Sequence, residues 1–230
     1  KDIITDVDGN IIVIGSFDTF MSIGTINLVS TGGYDFFLAK FDSAGNVLWA
    51  TNAGSANYDV GFSVTIDNTG DILVTGIYNG DAMFGTFPLP ARGGYDIFVA
   101  KYSPGGVIQW ADRAGGQGFE FVNKIDTDNL NNIYITGQYD QLAIFDTITV
   151  PANQNPNVYI AKYNSIGDVQ WVKTGLSNSF NTASYGLAVS NDTEIYITGV
   201  FESTINFSGT VLTGQQGGDI FLAKYNSEGA

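Results

Sequence analysis

Gly32-Gly-Tyr-Asp-Phe-Phe-Leu-Ala-Lys-Phe41 returns as Gly93-Gly-Tyr-Asp-Ile-Phe-Val-Ala-Lys-Tyr102, and looser copies end at Lys162-Tyr163 and Lys224-Tyr225. The lysines of this marker, Lys40, Lys101, Lys162 and Lys224, are spaced by 61, 61 and 62 residues. A second marker, Asn10-Ile-Ile-Val-Ile-Gly15, is echoed by segments ending at Gly76, Gly137 and Gly199, with the same spacing. Trp49, Trp110 and Trp171 step by 61 and 61, so the one extra residue lies between Trp171 and Gly199. Three landmarks sharing one period make internal repetition the organising feature of the chain.

Within each unit, β-branched and aromatic runs of strand length are bounded by Gly, Asn, Asp and Ser clusters. The second unit reads as four strands, over 62–66, 71–78, 95–102 and 107–111. Asp67-Asn-Thr-Gly70 and Ser103-Pro-Gly-Gly106 suit tight antiparallel turns between the first and last pairs. The connection Asn79 to Gly94 is longer and carries an apolar echo, with Phe84, Phe145 and Phe207 at one place and Ile23 at the matching place of the first unit.

In Phe36-Phe-Leu-Ala39 both alternating sets are apolar, which calls for a sheet on either side of the strand. Four-stranded antiparallel sheets repeated in tandem and stacked face to face describe an all-β fold, the β-propeller. A β-solenoid has shorter coils, and 61 residues are few for a β-sandwich. The expected organisation is about four blades, with units near 1–61, 62–122, 123–184 and 185–230, the last incomplete. Four full units would need about 244 residues on this period, so the expectation is a segment of a larger propeller, with further domains on the same polypeptide.

Composition closes several function classes. Nine basic against 23 acidic residues give a net charge of −14, which disfavours nucleic acid and anionic membrane partners. Cys and His are both absent, removing disulfides, thiolate chemistry, the commonest zinc ligand and the usual general base. No apolar run approaches the length of a membrane-spanning helix, so no membrane insertion is expected. A cysteine-free chain fits export, although reducing compartments tolerate it too.

Asp67-Asn-Thr-Gly-Asp-Ile-Leu-Val-Thr-Gly76, Gly93 to Tyr102, Gly106-Val-Ile-Gln-Trp110 and Ala114-Gly-Gly116 together resemble the bacterial SBBP-type β-propeller repeat, over nearly the whole chain. The resemblance implies a secreted or surface-anchored bacterial protein, extracellular or at the cell surface, whose repeats act as scaffold or binding surface without a shared activity. In the third unit the marker departs from this pattern, with Asn155-Pro156 for Gly-Gly and Asn157 for the Asp.

The repeated Lys40, Lys101, Lys162 and Lys224 are assigned a structural role, each ending a buried strand, covering an aromatic and pairing with a carboxylate. Trp49, Trp110 and Trp171 are assigned to inter-blade packing rather than sugar stacking. The loops opening at Asp6, Asp42 and Asp67 superficially resemble calcium loops but lack the bidentate Glu, and read as hairpin turns. No cofactor or metal site is expected, though the surplus of carboxylates leaves weak calcium binding open.

A ligand site is expected where symmetry breaks, in the long connections. These are 17–31, 79–92, 140–154 and Glu202 to Gln216 on one side, and 52–59, 113–120 and 174–185 on the other. Tyr58, Arg92, Arg113, Phe119 and Phe180 are the candidate ligand-binding residues. The function expected is a non-catalytic interaction module binding protein or glycan. The alternative is a carbohydrate-active propeller enzyme using paired carboxylates around the central channel.

Overall fold

The computed structural model describes residues 1–190, 194–215 and 217–230 and is all-β, a propeller of stacked antiparallel sheets. The first blade is β1 (Asp2–Thr5), β2 (Ile11–Ile23), β3 (Ile26–Phe41) and β4 (Val47–Ala53), paired in that order. The second holds β5 (Val60–Ile66), β6 (Ile72–Tyr78), a small hairpin of β7 (Ala82–Phe84) and β8 (Phe87–Leu89), then β9 (Asp96–Tyr102) and β10 (Ile108–Gly116). The third repeats this as β11 (Glu120–Thr127), β12 (Ile133–Tyr139), hairpin β13 (Ala143–Phe145) and β14 (Ile148–Val150), β15 (Asn157–Tyr163) and β16 (Val169–Ser177). The fourth contains β17 (Ala183–Val189), β18 (Ile195–Phe201), hairpin β19 (Thr204–Phe207) and β20 (Thr210–Thr213), and β21 (Asp219–Tyr225).

The hairpins do not extend their own blades. Hairpin β13/β14 adds to the outer strand of the preceding blade, with Ala114 opposite Phe145 and Gly116 opposite Ala143, and β19 joins β16 in the same way. β10 runs on to Gly116 rather than ending near Ala111: it stays paired with β9 as far as Ala114, and Gly115 and Gly116 find their partners in the next repeat. The echoed Phe is the wedge of this clasp. Phe84 is fully buried, 5.7 Å from Phe36 of the first blade and 4.6 Å from Phe98 of the second.

Cores lie between blades, as two-sided strands require. Along β9, Phe98, Ala100 and Tyr102 pack back against the first blade, while Ile97 and Val99 pack forward against the third. The recurrent glycine of the second strand is set by a bulge in the first. A Cβ on Gly76 would sit 2.0 Å from the Val60 carbonyl, beside the register shift between Gly61 and Ser63.

The first strands face the axis. Asp2, Ser63 and Lys124 hold the same place in three successive repeats, and side chains related by rotation meet only near the axis. Ser63 donates to Asp2 Oδ2 at 2.7 Å, and Lys124 Nζ lies 3.2 Å from the same oxygen.

The two sets of long connections, expected on opposite sides, share one end of the blades. Four alternating strands put the second-to-third connection and the blade-to-blade connection on the same face. Gly94 N donates to the Gly118 carbonyl at 2.9 Å and Glu120 N to the Tyr95 carbonyl at 2.8 Å, tying one set to the other.

Candidate functional site

The short-turn face is occupied by the repeated Lys and Trp. Lys40 pairs with Asp6 at 2.8 Å, Lys101 with Asp67 at 2.7 Å and Lys224 with Glu194 at 2.5 Å. Lys162 Nζ donates to the Ser227 carbonyl at 2.9 Å and lies over the Tyr134 ring. Trp49 and Trp171 donate through Nε1 to the carbonyls of Pro104 and Ser227 in the next blade. Trp49 also lies on Gly106, whose φ of 81° and missing Cβ let the ring approach the turn. Trp110 lies on Gly167 in the same manner. The carboxylates of Asp6, Asp42 and Asp67 accept backbone N–H groups of their own hairpin turns.

At the axis, Asp2 is held by Ser63 and Lys124; burial raises its pKa, but these contacts outweigh it and the carboxyl sits below its ordinary value. Asp126 accepts from Thr127 N and from Val189 N of the next blade. Among the described residues, Asp2 and Asp126 are thus both engaged in contacts between blades.

The long-loop face is different. Tyr34, within β3, and Tyr95, just before β9, hold equivalent places in the first two blades, and Tyr58 and Phe119 occupy equivalent places in the two blade-to-blade loops. Their rings form one row, with centroids 5.3 Å apart for Tyr34 and Tyr58, 6.1 Å for Tyr58 and Tyr95, and 5.8 Å for Tyr95 and Phe119. Phe121 lies beside the row, 5.7 Å from Tyr95. Tyr34, Tyr58 and Phe119 are 43%, 40% and 49% exposed, so the row is open to a partner while each ring is fixed by its neighbour. Backbone bonds lock the loops: Asp59 N donates to the Tyr34 carbonyl at 2.7 Å, and Phe119 N to Asp140 Oδ1 at 2.9 Å.

The row ends in a cleft of about 350 Å³ lined by Tyr95, Phe119, Phe121, Gln138, Asp140 and Pro156. Gln138 Oε1 is buried there and meets no hydrogen-bond donor among the described residues. Chemically the cleft offers aromatic walls, one amide acceptor and one carboxylate.

The expected site residues are only partly brought together. Tyr58 and Phe119 lie in the row. Arg92 Nη1 instead donates to the Ile144 carbonyl at 2.9 Å, and Arg113 Nη1 to the Pro90 carbonyl, so both guanidinium groups brace connecting segments. Phe180 is 82% exposed in a separate depression with Asn178, Asn181 and Glu202. Gln216, the last residue of the fourth long connection, lies outside the described residues. Tyr34 and Tyr95 were missed because a repeated residue reads as architecture, and Phe121, with Val60 and Ala183 at its equivalent places, because it lies just past the 113–120 connection. The available signal was the loss of the marker Tyr in later units, where Pro156 and Gly218 stand in its place.

Beneath the row, each junction holds a polar pair. Between the first and second blades, Asp59 accepts from Ser55 N at 2.7 Å and from Ser55 Oγ, while Asp35 accepts from Thr31 N at 2.9 Å. Burial still pushes Asp59 up to about 6. Between the second and third, Asp96 Oδ2 accepts from Arg92 N and Glu120 Oε2 from Gly116 N, but Asp96 Oδ1 and Glu120 Oε1 are buried with no donor among the described residues. Desolvation, reinforced by the nearby Asp96 charge, pushes Glu120 up to about 8.

No family model matches the chain. It is similar to an uncharacterized WD repeat-containing protein of Acanthamoeba polyphaga mimivirus, with 32% identity over 181 residues, covering 70% of this chain and 13% of that protein. The chain therefore spans about an eighth of that relative's length. This corrects the resemblance to bacterial SBBP-type repeats and points to a propeller of the WD-repeat kind. The segments behind that resemblance are turn glycines, two-sided strands and a Trp packed on the next turn, features that blade stacking demands of propeller repeats in general. The bacterial setting inferred from it loses its support as well.

Proposed function

We propose that the chain is a non-catalytic scaffold that binds another protein through the row Tyr34–Tyr58–Tyr95–Phe119 and the cleft at its end. The carrying observation is the row itself, four partly exposed rings held in register across two blade junctions by backbone bonds. Rigid aromatic anchors give contact area at little entropic cost and dominate binding energies in many interfaces. The similarity to a WD repeat-containing protein supports the same reading, because that class of propeller generally binds other proteins. So does the engagement of Asp2 and Asp126 in blade contacts, since a glycosidase's paired carboxylates have to be free to act on the substrate. An extracellular or cell-surface location is part of the proposal only through the cysteine-free composition.

Selection from a random-peptide library, run beside a glycan array, tests this. The wild-type chain is expected to enrich peptides that bind at least tenfold more weakly to a Tyr58→Ser/Tyr95→Ser/Phe119→Ser variant with an unchanged circular dichroism spectrum. Binding to glycans alone, or peptide binding indifferent to the triple substitution, would overturn it.

A further inference from the structure

At the cleft that ends the aromatic row, the third repeat departs from its neighbours at three places. Pro156 stands where the first two repeats carry Tyr34 and Tyr95, so the ring that would face Phe119, as Tyr95 faces Tyr58, is missing and its space is open. Phe121 stands where Val60 and Ala183 do, and supplies an aromatic wall 5.7 Å from Tyr95. Gln138 stands where the second and fourth repeats hold Ile77 and Val200. Blade packing therefore asks for no amide at this place, yet one is there, with Oε1 buried and without a donor among the described residues.

The groups around the cleft narrow what can fill it. Tyr139 already donates its hydroxyl to the Pro151 carbonyl at 2.6 Å. Asp140 Oδ1 accepts the Phe119 N–H at 2.9 Å, which uses one oxygen and fixes the carboxylate beside the rings. An anionic ligand would be repelled by Asp140 and by the chain's net charge of −14. An apolar side chain would seal Gln138 Oε1 away from any donor and desolvate the carboxylate. A quaternary ammonium suits aromatic walls but brings no N–H for the amide. A guanidinium meets every condition: it stacks on ring faces, keeps its charge at all relevant pH, and carries five N–H donors in one plane.

We infer that the cleft takes an arginine side chain of the bound partner, its guanidinium stacked among Tyr95, Phe119 and Phe121 and donating to Gln138 Oε1 and Asp140. The inference rests on the reading that the row binds a protein, and names the side chain that seats the end of it. The cleft volume of about 350 Å³ lies at the small end of ligand pockets and suits one long side chain.

Acetylated and amidated pentapeptides, Gly-Ser-X-Ser-Gly with X arginine, lysine, trimethyl-lysine or citrulline, test this by titration against the isotopically labelled full chain. The arginine peptide is expected to shift the amide resonances of Phe119, Phe121 and Gln138 saturably, and to bind about fivefold tighter than either lysine peptide and about tenfold tighter than citrulline. Three variants are each expected to weaken it by about fivefold with resonances away from the cleft unchanged. Asp140→Asn keeps an oxygen for the Phe119 N–H but loses the charge, Gln138→Ile installs the residue of the second repeat, and Pro156→Tyr restores the missing ring. Tyr58→Ser, in the row but outside the cleft, is expected to leave the arginine peptide unaffected. No saturable shift at the cleft at millimolar peptide, equal affinity for citrulline, a preference for trimethyl-lysine, or binding indifferent to Pro156→Tyr would each overturn the assignment. Library peptides that need the row but lose nothing on replacing arginine by citrulline would strike the arginine and leave the row. Arginine binding at the cleft without any row-dependent library peptide would uphold the pocket and strike the row.

Discussion

At the second blade junction two carboxyl groups, Asp96 and Glu120, are buried under the aromatic row; at the third, the equivalent places hold Asn157 and Thr182. The third is closed by neutral bonds, Ser177 N donating to Asn157 Oδ1 at 3.0 Å and Ser177 Oγ lying 2.7 Å from Thr182 Oγ1. The first junction keeps the acids but surrounds them with donors from Thr31 and Ser55. In the second, Arg92 and Gly116 stand where those hydroxyls would be, and an oxygen of each acid is left without a donor. Equivalent backbone therefore carries three different electrostatic states, and the costly one lies beneath the cleft.

The largest consequence is in pH dependence. A carboxyl raised in the folded state contributes stability in full below its unfolded pKa and loses it as pH rises to the folded value. For Glu120 the window runs from the ordinary glutamate range to about 8, and for Asp59 from the ordinary aspartate range to about 6. Between pH 6.5 and 8 the fall in stability is thus expected to come from the second junction. At about 1.4 kcal/mol per unit, the whole Glu120 contribution is on the order of 4 to 5 kcal/mol. Thermal melts of wild type and Glu120→Gln across pH 5 to 9 check this; equal slopes above pH 6.5 would mean that Glu120 is not the group concerned.

A smaller effect separates the glycines over these pairs. A Cβ on Gly115 would stand 1.7 Å from Asp96 Oδ1, whereas one on Gly54 would stand 2.8 Å from Asp59 Oδ2 and 2.9 Å from Asp35 Oδ1. The third junction, free of acids, holds Leu176 at that place. Gly115→Ala is expected to cost about 1 to 3 kcal/mol, and Gly54→Ala less. Urea unfolding of the two variants gives the order, and a reversed order would show that the acids do not set the space.

The repeat, its strands and the two-sided packing were readable from the 61-residue spacing, because blade stacking imposes the same demand at every repeat. The hairpin clasp was visible only as the echoed Phe84, Phe145 and Phe207, since nothing local says that a three-residue strand pairs with the preceding blade. Tyr58, Phe119, Arg92 and Arg113 were all chosen by looking for broken symmetry, and only the first two lie in the aromatic row. An arginine's charge does not reveal whether it faces a ligand or caps backbone carbonyls. Tyr34 and Tyr95 became part of a site only when the loops carrying Tyr58 and Phe119 folded over them.

The smallest expected difference concerns two phenylalanines in successive junction loops. Phe119 has Tyr95 at 5.8 Å and its N–H on Asp140, while Phe180, one place earlier in its own loop, is 82% exposed. Phe119→Ser should cost about 1 kcal/mol through lost ring contact, and Phe180→Ser less than about 0.5 kcal/mol. Peptide binding should follow the same order, because an unsupported ring has to be immobilised when a partner arrives, whereas one already fixed by a neighbour does not. Equal costs in denaturation, or a greater loss of peptide binding in Phe180→Ser, would place the anchoring surface on the third junction and detach it from the aromatic row.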